Sequence, residues 1–185
     1  MSTIGFDTSN YTTSTAWTDG KTDINVRQIL YVKDGERGIR QSDGVFQHMK
    51  LMPVMYEKLS EQIDFKDVKA VGVSTRPRCV EGSYMPVFLA GEGYAKVVAN
   101  TLGVPLYEFS HQDGHIMAGI YSSGSFELLE NDFISVHLSG GTTEILKSRY
   151  NEFNFDNEII GGSKDISAGQ FIDRVGVKMG LHFPA

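Results

Sequence analysis

The segment EFSHQDGHIMAG, residues 108–119, sets His111 and His115 four residues apart, just after the apolar run that starts at Val104. On a helix that spacing puts both imidazoles on one face, close enough for their ring nitrogens to share one metal ion. The same pair also suits a helix cap or two surface histidines, and spacing alone does not choose between them. A zinc peptidase of the HExxH type is poorly supported, because position 112 is Gln where the general base would be Glu. A metal would need a third protein ligand, a carboxylate from elsewhere.

Three further stretches carry chemistry-capable residues. In LSGGTTEIL, residues 138–146, Gly140 and Gly141 allow a sharp turn whose main-chain N–H groups could face a phosphate; a plain hairpin turn explains the same residues. In FDTSNYTTS, residues 6–14, the acid Asp7 with the hydroxyls of Thr8 and Ser9 could hold a metal-bound phosphate, or simply cap a turn. In GGSKDISAGQFIDR, residues 161–174, Asp165 and Asp173 flank a helix start that Ser163 or Asp165 could cap.

The elements that must position these residues follow from periodicity. TIGFDTS, TTSTAWT and INVRQILYVK read as three strands with short links, the third carrying Ile24, Val26, Gln28, Leu30 and Val32 on one face. The polar stretch KDGERGIRQSDG, residues 33–44, reads as a loop. A helix follows, with Val45, Met49, Met52, Met55, Leu59 and Ile63 on its apolar face; Pro53 is expected to kink it or to start a second helix. VKAVGVS reads as a buried strand, 84–102 as a helix, VPLYEFS as a strand, and the histidine segment as the next helix. FISVHLS and TTEILKS form a hairpin around Gly140-Gly141, opening a second meander, and a helix spans roughly Asp165 to Gly180. A meander followed by helix, strand, helix and strand predicts a mixed sheet covered by helices. The expected division is one α/β lobe over 1–130 and the start of a second over 131–185.

The 185 residues are 41% hydrophobic and 22% charged, values of an ordinary globular protein. One cysteine, Cys79, no apolar run of membrane-spanning length and no signal-peptide pattern point to the cytoplasm. The net charge of −6 argues against wrapping nucleic acid unaided. Lys33, Arg37 and Arg40, and Arg76 with Arg78, are local positive spots that read first as solvated surface. An RNA substrate would need a basic partner or a small local patch.

Taken in order, these motifs resemble the TsaD, or glycoprotease-like, family of the actin and sugar-kinase superfold. IGFDTSNYTTS is similar to the family's opening strand and loop. VGVSTRPRCVEGSYMPVFLAGEGYAKVVANTLGVPLYEFSHQDGHIMA is similar to its Thr-Arg-Gly-Pro stretch, Gly-Ser helix and metal-binding helix. VHLSGGTTEIL and GGSKDISAGQFIDRVGVKMGLHFP are similar to its Ser-Gly-Gly-His-Thr hairpin, its Gly/Asp helix and the Leu-x-Tyr-Pro after it. The resemblance implies an RNase H-like, actin-like lobe with a mixed five-stranded sheet, followed by the start of a similar lobe.

It also implies an activity: transfer of a threonylcarbamoyl group from its adenylate to the exocyclic amine of a tRNA adenosine. His111 and His115 would be two ligands of one divalent iron or zinc ion. Leu138, Ser139, Gly140, Gly141 and Thr142 would cradle the phosphate and carbamoyl end of an adenylate or ATP-type nucleotide, and Asp173 would contact its nucleotide part. A TsaB-like protein or a second copy would be the partner, with tRNA as substrate and no membrane. Thr142, Ile166 and Gln170 stand where the family has His, Asp and Glu, and Arg76-Pro77-Arg78 lacks a glycine, which implies a divergent member. Family members continue past the counterpart of Phe183-Pro184-Ala185 and take their third metal ligand from there, so the expectation is a fragment. The alternatives are a non-catalytic TsaB-like dimerisation partner, the historical peptidase activity, and a sugar-kinase-like phosphotransferase.

Overall fold

The structure is a computed structural model that describes residues 1–33 and 38–181. Arg37 and the stretch from His182 to Ala185 lie outside the described residues. Contacts divide the chain into two compact units, 1–31 with 39–111, and 32–38 with 112–185.

The first unit is built on a five-stranded sheet in the order β3-β2-β1-β4-β5. Its strands are β1 (Ser2–Asp7), β2 (Thr12–Thr18), β3 (Asp23–Ile29), β4 (Val68–Arg76) and β5 (Leu106–Ser110). β1, β2 and β3 pair antiparallel, whereas β4 and β5 run parallel to β1, so the sheet is mixed as expected. Ile4 and Phe6 of β1 and Val71 and Val73 of β4 are buried by alternation, and they meet Met52 and Leu59 of α1 (Gln41–Ser60) and Ala95 and Ala99 of α2 (Phe88–Leu102). α2 ends where Gly103 takes a left-handed φ of 66° and donates its N–H back into the last turn.

Three expectations change here. α1 is one helix through Pro53, so no second helix starts there: Pro53 is exposed while the buried row Gly44, His48, Met52, Met55 and Leu59 holds the helix on the sheet. That row also replaces Met49, which is 47% exposed. His48 takes the buried position because Thr13 of β2 offers its ring a hydrogen bond. β3 stops at Ile29, where the backbone N–H of Leu30 turns to donate to Tyr11.

The second unit contains a three-stranded antiparallel sheet, β6 (Phe133–Leu138), β7 (Thr143–Asn151) and β8 (Asn154–Gly162). This meander repeats the β1–β3 topology, and β8 supplies a third strand after the expected hairpin. α3 (His111–Ser123) packs Ile116 and Ile120 against Leu146 and Phe155 of this sheet. For that reason the contact division falls after His111, in the first turn of α3, earlier than the sequence-based join at 130/131. α4 (Ala168–Lys178) is capped by Ser167, whose Oγ accepts the Gln170 N–H; neither Ser163 nor Asp165 serves. Among the described residues no helix is long and apolar enough to cross a membrane.

Candidate functional site

In the first unit the loop after β1 closes on the start of α3. Asp7 Oδ2 lies 2.8 Å from Nδ1 of His111, and Asp7 Oδ1 accepts the Ser9 N–H at 2.7 Å. Burial pushes the Asp7 carboxyl up, but the His111 hydrogen bond and charge, the Ser74 hydroxyl and the Ser9 amide outweigh it and hold the pKa at about 2. The His111 ring also packs on Phe88, with centroids 6.1 Å apart. Thr8 is fully buried: its hydroxyl donates to the Val87 carbonyl at 2.8 Å and accepts the Gly91 N–H at 3.0 Å. The expected phosphate loop is therefore largely spent inside the unit. Asp7 and Thr8 tie β1 to α3 and α2, which leaves Ser9 as the hydroxyl not already placed in that role.

In the second unit His115 is exposed on α3, and its ring stands 5.6 Å from that of His137 on β6. His137 shares the inner face of β6 with Phe133 and Ser135. The buried amide of Gln112 donates to His137 Nδ1 at 3.1 Å and to Glu144 Oε2 at 3.4 Å. Position 112 thus ties the helix to the hairpin. A cavity of about 210 Å³ opens between α3 and β6, with His115 and His137 above Ile116, Ile120, Leu128 and Phe133.

The Ser-Gly-Gly turn and the α4 segment meet. Ser139 N–H donates to the Thr142 carbonyl at 2.8 Å, and Thr142 N–H to Ser139 Oγ at 3.0 Å, closing the hairpin between Leu138 and Thr143. Ser167 Oγ donates to the Gly140 carbonyl at 2.8 Å, and the Ala168 N–H donates to Thr143 Oγ1 at 2.7 Å. Asp173 Oδ2 lies 3.7 Å from the place a Cβ on Gly140 would take, while the space at Gly141 is open. Neither glycine takes a left-handed φ, so the turn is not what requires them. The structure thus brings Ser139, Gly140 and Thr142 together with Asp173, and Asp7 together with His111. Leu138 is exposed at the end of β6. Among the described residues no three His, Cys, Asp or Glu side chains gather as a metal-binding group.

The model of the family described as "TsaD: tRNA N6-adenosine threonylcarbamoyltransferase" matches residues 36–185. The chain belongs to this family. Among its curated relatives, the tRNA N6-adenosine threonylcarbamoyltransferase of Pyrobaculum calidifontis is 28% identical over 98% of this chain and 50% of its own length. That of Christiangramia forsetii is 32% identical over 72% of this chain and 37% of its own. The chain therefore spans about half, or less, of the length of these relatives. Among solved structures, EutJ of Carboxydothermus hydrogenoformans superposes with a TM-score of 0.52 at 16% identity, covering 99% of this chain and 58% of that one. YeaZ of Pseudomonas aeruginosa does so at 0.51 and 11%, covering 91% and 68%. These likenesses show the fold, which is the actin-like one.

Three residues of the TsaD-family chain escaped sequence reasoning. His137 had a usable signal, since alternation along β6 places it on the face toward α3. Gly169 had another: a glycine in the first turn of a helix marks a close approach, and a Cβ there would run into the Ser139 carbonyl. Gln112 had none, because an amide between two histidines looks like any exposed helix residue.

Proposed function

We propose that this chain carries the metal- and adenylate-binding part of a transferase that moves a threonylcarbamoyl group from threonylcarbamoyl-adenylate to N6 of a tRNA adenosine. The observation that carries this reading is the seating of the Ser-Gly-Gly turn on the start of α4, with the Asp173 carboxylate beside Gly140. In that role Gly140 and Gly141 admit a phosphate to the main chain without a Cβ in its way. Ser139 and Thr142 hold the turn's shape, Leu138 leads the strand into it, and Asp173 accepts hydrogen bonds from hydroxyls of the nucleotide part.

His111 and His115, on successive turns of α3, fit a borderline divalent ion such as iron or zinc by the chemistry of their donors. Such an ion supplies Lewis-acid polarisation of a carbonyl or phosphoryl oxygen. Two imidazoles are an incomplete set, and the third ligand belongs to another part of the protein or to the substrate.

With a net charge of −6 the chain relies on a partner, a TsaB-like protein or a second copy, to bring tRNA to it in the cytoplasm. Equilibrium binding of AMP to the full chain tests the cradle. Binding that falls at least tenfold in Asp173→Asn is expected. Absent or unchanged binding contradicts the transferase reading and favours a non-catalytic TsaB-like dimerisation partner.

A further inference from the structure

Asp7 ends β1 and His111 begins α3, yet their side chains are 2.8 Å apart, Oδ2 to Nδ1. We propose that Asp7 is a positioning residue that holds His111 as its Nδ1–H tautomer and so presents Nε2 as the nitrogen that binds the metal. This rests on the metal reading of His111 above and deepens it by naming the ligating atom and the group that selects it.

The argument is one of hydrogen-bond inventory. An ionised carboxylate has only acceptors, so the proton in this contact belongs to Nδ1. A neutral imidazole carries one ring proton, and with Nδ1 protonated the lone pair lies on Nε2. Asp7 cannot swing away to release the ring, because its Oδ1 already accepts the Ser9 N–H at 2.7 Å. Packing of the ring on Phe88 fixes its plane as well. A carboxylate behind a ligating histidine orients the ring and raises its basicity toward a metal. Asp7 would thus serve the metal through His111, in place of the direct phosphate-loop role its sequence position suggests.

The test uses the full chain with a readout that needs no activity. In the metal-free protein, long-range proton–nitrogen NMR of the imidazoles, with His111 assigned by loss of its signals in His111→Gln, reads the tautomer directly. The expected result is Nδ1–H in the wild type, and a mixture or the Nε2–H form in Asp7→Asn, which keeps the Ser9 turn but offers Nδ1 a donor as well as an acceptor. Zinc affinity, measured by chelator competition, should fall roughly ten- to a hundred-fold in Asp7→Asn. An Nε2–H tautomer in the wild type overturns the proposal whether or not zinc binds. A correct tautomer with no zinc binding overturns instead the metal reading on which it rests. The wild-type spectrum decides the tautomer even if Asp7→Asn fails to fold.

Discussion

Thr13 Oγ1 lies 2.7 Å from Nδ1 of His48, and both side chains are buried between β2 and α1. His48 Nε2 is buried with no hydrogen-bond partner, so the ring is held neutral. Desolvation lowers its pKa to about 4, against a partial upward pull from Asp7.

A folded pKa below the unfolded one means that the unfolded chain takes up a proton first as pH falls. Stability of the first unit is therefore full above the ordinary histidine pKa of 6.5 and declines between there and about pH 4. The total loss is about 3 kcal/mol, from 1.36 kcal/mol per pKa unit. Denaturant titrations followed by Trp17, the single tryptophan and part of this unit's core, check it. Thr13→Val should cost ~1–3 kcal/mol at neutral pH by leaving His48 Nδ1 without its hydrogen-bond partner.

Asp7 acts in a lower window. Its carboxyl is held at about 2 against an ordinary 3.8, so its contribution is complete above pH 3.8 and is lost as pH falls toward 2. That contribution is about 2 kcal/mol. The acid limb of the Trp17 titration should shift upward in Asp7→Asn, because the variant lacks it at every pH.

Gly91 meets Thr8 with no room to spare: a Cβ there would stand 2.8 Å from Thr8 Oγ1, and Thr8 is fully buried. Alanine normally favours a helix interior by about 1 kcal/mol over glycine. Here Gly91→Ala should instead destabilise the first unit by ~1–3 kcal/mol through overpacking. Thermal melts read on Trp17 will show the sign.

Gly169 makes the matching approach in the second unit, against backbone that has no side chain to move aside. Gly169→Ala should push the Ser-Gly-Gly turn off α4, reduce AMP binding as strongly as Asp173→Asn, and leave the Trp17 melt unchanged. Amide exchange across 139–142, faster in the variant, would report the displacement.

Much of this was legible from periodicity and motif order. The strand–strand–strand–helix–strand–helix–strand course and its mixed sheet follow from where apolar residues recur. The family resemblance named the Ser-Gly-Gly turn and Asp173 as residues for one ligand, while their closeness to each other is a finding of the structure. What stayed hidden depends on long-range partners. His48 carries no signal of burial in the sequence, because its partner Thr13 lies on another element. Asp7 looked like a phosphate-loop acid because nothing near it in sequence announces His111. Pro53 argued for a kink or a second helix, and packing of the opposite face keeps α1 one helix against that local signal.

The central claim, that His111 and His115 hold a metal in a TsaD-family site, is tested most directly by elemental analysis of anaerobically purified protein beside the His111→Ala/His115→Ala double variant. The account predicts about one iron or zinc per chain, lost in the double variant, with the Trp17 melt of the first unit still cooperative. A wild type without metal, or metal retained by the double variant, would contradict it.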